Sequence, residues 1–115
     1  MGPRRQERMA SFIKDEMSRA IIFELKDPRI GFATVTDVEV SGDLRYAKVS
    51  VSIMGEEETQ EKSIRAIRHA GGFLKKRLAR EMASRTVPEL SFELDDSVKK
   101  SVRISRKLKD MQENE

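Results

Sequence analysis

The clearest fold signal in this chain is residues 32–53, FATVTDVEVSGDLRYAKVSVSI. Apolar and polar side chains alternate through both halves, which is the pattern of strands with one buried face. Ser41-Gly42-Asp43 is a turn signal between them, so the stretch predicts an antiparallel hairpin. In its first strand, strict alternation places Phe32, Thr34, Thr36, Val38 and Val40 on one face, and Ala33, Val35, Asp37 and Glu39 on the other.

Helical periodicity flanks the hairpin on both sides. Before it, a helix is predicted from Arg4 to Leu25, and Lys26-Asp27-Pro28 ends it, because the residue before a proline is disfavoured in the α region. After the hairpin, a helical stretch runs from Thr59 to about Arg85. The apolar face of the first helix comprises Met9, Phe12, Ile13, Met17, Ala20 and Phe23, with Glu16 expected at its edge.

Ala70-Gly71-Gly72 interrupts the second helical stretch. Each glycine costs about 1 kcal/mol relative to alanine inside a helix. The pattern therefore favours a kink that divides two helices. The alternative is that these small residues only allow close packing against the sheet.

Residues 87–94 alternate again and predict a third strand, in which Pro88 suits a strand start or a sheet edge. Asp95-Asp96-Ser97 is typical of a turn or helix N-cap, and a short basic helix is predicted from Val98 to about Leu108. The prediction is one α+β domain over residues 1–109, with a short acidic, frayed tail at 110–115.

Composition and charge exclude some classes of function and favour others. The 115 residues include no cysteine and one histidine, His69, which excludes thiolate chemistry and points away from enzymes. Residues 62–85 carry eight basic residues against one acid, and 97–109 form a second basic block. Such segregated charge indicates a polyanion-binding face, because solubility alone needs no segregation. The absence of cysteine agrees with a cytoplasmic protein.

Helical phase predicts which side chains form that face. One basic stripe points away from the apolar side of the first helix and another from that of the second, while the glycines between them allow close approach of a phosphate backbone. The candidate nucleic-acid-binding residues are Lys62, Arg65, His69, Ala70, Gly71, Gly72, Lys75, Lys76, Arg77 and Arg80. Phe73, beside them, either stacks on a base or packs under a neighbouring helix.

Two other function classes compete with nucleic-acid binding. The basic face could meet an acidic protein in a small interaction domain, or Asp95, Asp96 and His69 could serve a metal-assisted nuclease. A membrane-surface role is disfavoured because the apolar side of the basic helices is narrow and is needed for the core. We expect no cofactor, no metal, no small-molecule substrate and a monomer in solution.

The element order resembles the type II KH topology, but the G-x-x-G loop of KH domains is absent. Ala70-Gly71-Gly72 instead matches the Ala-x-Gly interruption of the ribosome-binding factor A family. The resemblance covers residues 5–105. Further matching stretches are Lys26-Asp27-Pro28-Arg29 with Gly31, Val35-Thr36-Asp37-Val38-Glu39-Val40-Ser41, Asp43-Leu44-Arg45-Tyr46-Ala47-Lys48-Val49 and Val87-Pro88-Glu89-Leu90-Ser91-Phe92.

This resemblance implies a non-enzymatic, cytoplasmic assembly factor of the small ribosomal subunit. It implies binding to the maturing 30S subunit, help with late processing of 16S rRNA, and support of growth in the cold. It places residues 70–72 at the kink of the family and turns the adjacent basic residues towards rRNA.

Overall fold

The computed structural model describes residues 2–82 and 86–95, and the elements follow the predicted order. The predicted basic helix at 98–108, the Asp96-Ser97 turn and the tail at 110–115 lie outside the described residues. The helices are α1 (Gly2–Arg19, extended by a π-helical turn at Ala20–Glu24), α2 (Glu57–His69) and α3 (Gly71–Glu81), and the strands are β1 (Ala33–Val40), β2 (Tyr46–Ile53) and β3 (Glu89–Leu94).

The three strands form one sheet in the order β1-β2-β3. β1 and β2 are the antiparallel hairpin, whereas β3 pairs parallel to β2 after the crossover through α2 and α3. β3 is an edge strand, which agrees with Pro88 directly before it. Helices cover one face of the sheet, and the completely buried apolar side chains of the core are Ile13, Met17, Ala20, Val49, Val51, Ile67, Leu74 and Leu78.

A β-bulge changes the predicted faces of β1. The register with β2 shifts between Val35 and Asp37, which leaves Thr36 as the extra residue. The buried residues of β1 are therefore Ala33 and Val35 before the bulge and Val38 and Val40 after it, not one unbroken alternation. The Thr36 hydroxyl donates to a carboxylate oxygen of Asp95, 2.6 Å away, just after β3.

The π-helical turn changes the predicted apolar face of α1 in the same way. The Leu25 N–H bonds the Ala20 carbonyl, five residues back, so the helix is wider at its end. This rotates the following side chains: Ile21 is buried, while Phe23, predicted to be in the core, is 71% exposed. Glu16 is also buried and does not lie at the edge of the face.

Candidate nucleic-acid interface

The outer side of α2 carries the first predicted basic stripe. Lys62, Arg65 and His69 are exposed, while Ile64 and Ile67 on the opposite side are buried in the core. The three exposed side chains line a cleft of about 550 Å³ together with Ala66 and Arg29. Helical phase therefore predicted the outward direction of these three side chains correctly.

Arg29, which lines the other side of this cleft, was not predicted as a binding residue. In the sequence, Lys26-Asp27-Pro28 was interpreted as a helix stop and Lys26-Asp27-Pro28-Arg29 as part of the family resemblance. Arg29 lies in the loop between α1 and β1, and its guanidinium donates to both carboxylate oxygens of Asp27, with Nε 3.0 Å from Oδ1 and Nη2 2.6 Å from Oδ2. The hydrogen bonds from the Arg29 side chain and from its backbone N–H lower the pKa of Asp27 from 3.8 to about 2.

The helices break where the glycines predicted a kink. α2 ends at His69, Ala70 links the helices with its N–H bonded to the Ala66 carbonyl, and α3 begins at Gly71. Neither Gly71 nor Gly72 has a positive φ. No atom beyond the neighbouring backbone lies within 4 Å of a Cβ built on either glycine, so close packing against the sheet does not explain them.

A second cleft, of about 410 Å³, separates this break from the edge strand β3. Gly71, Gly72 and Lys75 form the helical wall, and Lys75 is ion-paired with Glu89 at the start of β3. Arg68, which sequence reasoning left out, also lines it, and its Nε donates to the Phe92 carbonyl at 2.8 Å. Arg68 thus hydrogen-bonds a backbone carbonyl of the sheet edge.

α3 presents only part of the second predicted stripe. Lys76 and Arg80 are exposed, and Phe73 is 45% exposed, so it is not packed under a neighbouring helix. The prediction that Arg77 projects outward was wrong. Its side chain is 12% exposed, is ion-paired with Glu16 of α1, and has Nε 2.8 Å from Oε1 of Glu24.

Burial in the α1–α3 contact explains this difference. Glu16 interrupts the apolar side of α1, and Arg77 is the cation of α3 that faces it. Interactions of the Arg77 guanidinium with the carboxylates of Glu16 and, to a smaller extent, Glu24 raise the pKa of Arg77 above its usual value. Arg77 therefore joins two helices, and the structure does not bring its side chain onto the exposed basic surface.

The outer face of the sheet carries the opposite charge. Lys48 of β2 lies 3.2 Å from the Glu39 carboxylate, and Glu39, Glu93 and Asp37 together raise the pKa of Lys48. One cation surrounded by three acids repels a polyanion, whereas the helical side attracts one. The charge segregation seen along the chain thus becomes a difference between two faces of the molecule.

The structure separates parts of the predicted nuclease constellation. Asp95 accepts the hydrogen bond of Thr36, His69 lines the cleft beside Arg29, and Asp96 lies outside the described residues. Over residues 2–82 and 86–95, no three carboxylate or imidazole side chains are placed to share a metal ion. The helices of the same residues are too short or too polar to span a membrane.

Comparison with known proteins gives one family. The family model described as Ribosome-binding factor A matches residues 5–108. Ribosome-binding factor A of Thermomicrobium roseum is 45% identical over 109 residues, which are 95% of this chain and 84% of the relative.

Comparison with solved structures gives the same family. The crystal structure of ribosome-binding factor A from Thermus thermophilus superposes with a TM-score of 0.70 at 30% identity, over 77% of this chain and 93% of that one. A homology model of the Thermus thermophilus protein, fitted into the cryo-EM map of a 30S–ribosome-binding factor A complex, gives a TM-score of 0.57 at 32% identity, over 74% and 93%. This likeness confirms the predicted type II KH-like fold.

Proposed function

Because this chain belongs to the ribosome-binding factor A family, we propose that it binds the maturing 30S subunit through contacts of α2 and α3 with 16S rRNA. The proposal includes assistance in late maturation of that rRNA, support of growth in the cold, and action as a cytoplasmic monomer. The family is defined by ribosome binding and not by a catalysed reaction, and we infer that this chain likewise acts by binding.

The observation that carries the proposal is the exposed basic surface around the helix break. Lys62 and Arg65 on α2 and Lys76 and Arg80 on α3 lie on either side of two glycines with open space above them. Cations on both sides of a site that a backbone can approach closely suit a chain of phosphates. The Thermus thermophilus relative, which has been placed in a 30S complex, supports the same partner.

Sedimentation with purified 30S subunits tests this proposal. We expect the protein to migrate with the subunit at low salt, and the double variant Lys76→Ala/Arg80→Ala to remain largely at the top of the gradient. Lys14→Ala, which removes an exposed cation of α1, is the matched control and should migrate like the unchanged protein. Unchanged protein that stays free of the subunit would refute the proposal.

Salt dependence distinguishes the competing protein-interaction function. RNA binding through phosphates releases counterions, so affinity for isolated 16S rRNA should fall steeply as salt rises. If the chain instead did not bind deproteinised rRNA and bound only the protein fraction of the subunit, the basic surface would be a protein-binding site.

A cleavage assay tests the competing nuclease function. Incubation of precursor rRNA with the protein and magnesium should leave that RNA uncut.

A further inference from the structure

The loop that contains Asp27, Pro28 and Arg29 is a closed hydrogen-bonded unit. The Asp27 carboxylate accepts the backbone N–H of Arg29 at 2.9 Å as well as the Arg29 guanidinium, and the Asp27 carbonyl accepts the Ile30 N–H at 3.0 Å. Pro28 fixes one backbone torsion between the two charged residues. Side chain and backbone of Arg29 are thus held by the same carboxylate.

This arrangement occupies one edge of the guanidinium and leaves the other available. Asp27 binds the edge formed by Nε and Nη2, while the Arg29 side chain remains 61% exposed. A guanidinium has five N–H donors in a rigid plane, so Nη1 and the outer hydrogen of Nη2 can still bind two oxygens of one phosphate. The carboxylate orients the plane and so lowers the entropy lost when that phosphate binds.

The loop is also fixed to α2, which supplies the other cations. The buried Ser63 hydroxyl of α2 accepts the Gly31 N–H at 3.0 Å and donates to the Arg29 carbonyl at 3.2 Å. Arg29 therefore stands at a set position opposite Lys62, Arg65 and His69 across the cleft. His69 is close enough to contribute to the lowered pKa of Asp27.

We propose that Asp27 is a positioning residue for Arg29, and that Arg29 binds one RNA phosphate in this cleft together with Lys62, Arg65 and His69. The inference rests on the proposed function for the identity of the RNA, since it assigns a phosphate of 16S rRNA to this cleft. It adds Arg29 to the basic surface and gives a role to an acid that would otherwise weaken that surface.

The proposal makes a prediction of unusual sign. Removal of an acid beside a polyanion site normally strengthens binding, because it removes repulsion. Asp27→Asn should instead weaken binding, since the amide no longer holds the guanidinium with two charge-assisted bonds. Asparagine retains an oxygen that can accept the Arg29 N–H, so the loop should keep its backbone form.

Glu58 provides a matched control. Its carboxylate lies 3.4 Å from Nζ of Lys62, another cation of the cleft, and both side chains are more than half exposed. A lysine is a flexible point charge that gains no planar orientation from such a partner. Glu58→Gln removes the same charge as Asp27→Asn and should leave binding unchanged or strengthen it.

The experiment measures the dissociation constant for purified 30S subunits at fixed low salt, with circular dichroism to confirm that each variant is folded. We expect Arg29→Lys to weaken binding about tenfold and Asp27→Asn about threefold, as the loss of charge-assisted bonds implies. In the Arg29→Lys background, Asp27→Asn should no longer weaken binding. Glu58→Gln should bind at least as tightly as the unchanged protein.

Two outcomes would overturn the inference while 30S binding itself stands. Asp27→Asn that binds as tightly as the unchanged protein, or more tightly, would show that Asp27 does not act through Arg29. If Glu58→Gln weakened 30S binding as much as Asp27→Asn does, the loss would follow from removing any acid near the cleft and not from releasing Arg29.

A second measurement does not depend on the ribosome. Inorganic phosphate titrated into the labelled protein should shift the NMR signals of the His69 ring, and less so in Arg29→Lys. If the unchanged protein failed to bind 30S subunits but showed this shift, the proposed function would fail and the phosphate site would stand. If phosphate shifted the His69 signals equally in the unchanged protein and in Arg29→Lys, Arg29 would not be part of a phosphate site.

Discussion

Arg77 of α3 is ion-paired with Glu16 of α1, and only 12% and 11% of the two side chains is exposed. Because of this pair, the basic residues of α3 have two different roles. Arg77 joins the helices, while Lys76 and Arg80, on either side of it in the sequence, stay exposed. A count of positive charges along α3 therefore overstates how many of them can reach an RNA.

Arg77→Ala should destabilise the fold by about 3 kcal/mol, because it leaves the largely buried Glu16 carboxylate without its partner. Lys76→Ala, one residue away and exposed, should change the free energy of unfolding by less than about 0.5 kcal/mol. Urea denaturation measures both. At a temperature where Arg77→Ala is folded, its affinity for 30S subunits should equal that of the unchanged protein. Equal stability of the two variants would contradict the structural role of Arg77.

Lys76→Ala and Arg80→Ala should each weaken binding to structured RNA, by a similar factor for unrelated sequences. Phosphate contacts carry no base information, so the loss is general, and each lost contact should reduce the slope of log affinity against log salt by about 1. Fluorescence anisotropy at four or five salt concentrations measures the slope. A variant with an unchanged slope identifies a side chain that does not touch a phosphate.

The sequence predicted those parts of the fold that depend on local periodicity. The hairpin and the helix break at residue 70 were predicted correctly, because each has a turn or glycine signal of its own. Pro88 left a strand start or a sheet edge open, and it lies directly before the edge strand β3. The errors at Thr36 and Phe23 share one cause. In each case the backbone departs by one residue from regular geometry, through a bulge or a π-helical turn, and the faces of the residues around it change.

The candidate site was harder to predict, because it depends on which elements meet. Arg77 has the same helical phase as an exposed residue until α1 packs beside it and supplies Glu16. Arg29 belongs to a loop without periodicity, and hydrogen bonds of Ser63 fix this loop to α2. A short Asp-Pro-Arg sequence, with an acid two residues before a cation, was the one local signal of that unit.

The Asp27–Arg29 pair should make the free energy of unfolding depend on pH in the acid range. The folded-state pKa of Asp27, about 2, is below the usual 3.8, so the folded protein binds fewer protons at this group than the unfolded chain does. The resulting stabilisation is present above about pH 4 and is lost as the pH falls from about 4 to about 2. Over that interval, the free energy of unfolding of Asp27→Asn should fall less steeply than that of the unchanged protein. Urea denaturation at half-unit steps of pH measures this, and parallel curves would contradict it.

Gly72→Ala should stabilise the fold and weaken RNA binding. Gly72 lies in the first turn of α3 without a positive φ and has open space where a Cβ would stand, so alanine should add up to about 1 kcal/mol. Gly55→Ala, the control, should destabilise, because φ is +121° and the Thr59 side chain would lie 3.2 Å from the new Cβ. Thermal denaturation and 30S affinity are measured together. If an RNA backbone lies against Gly72, the added methyl group displaces it; a more stable Gly72→Ala with unchanged affinity would exclude Gly72 from the interface.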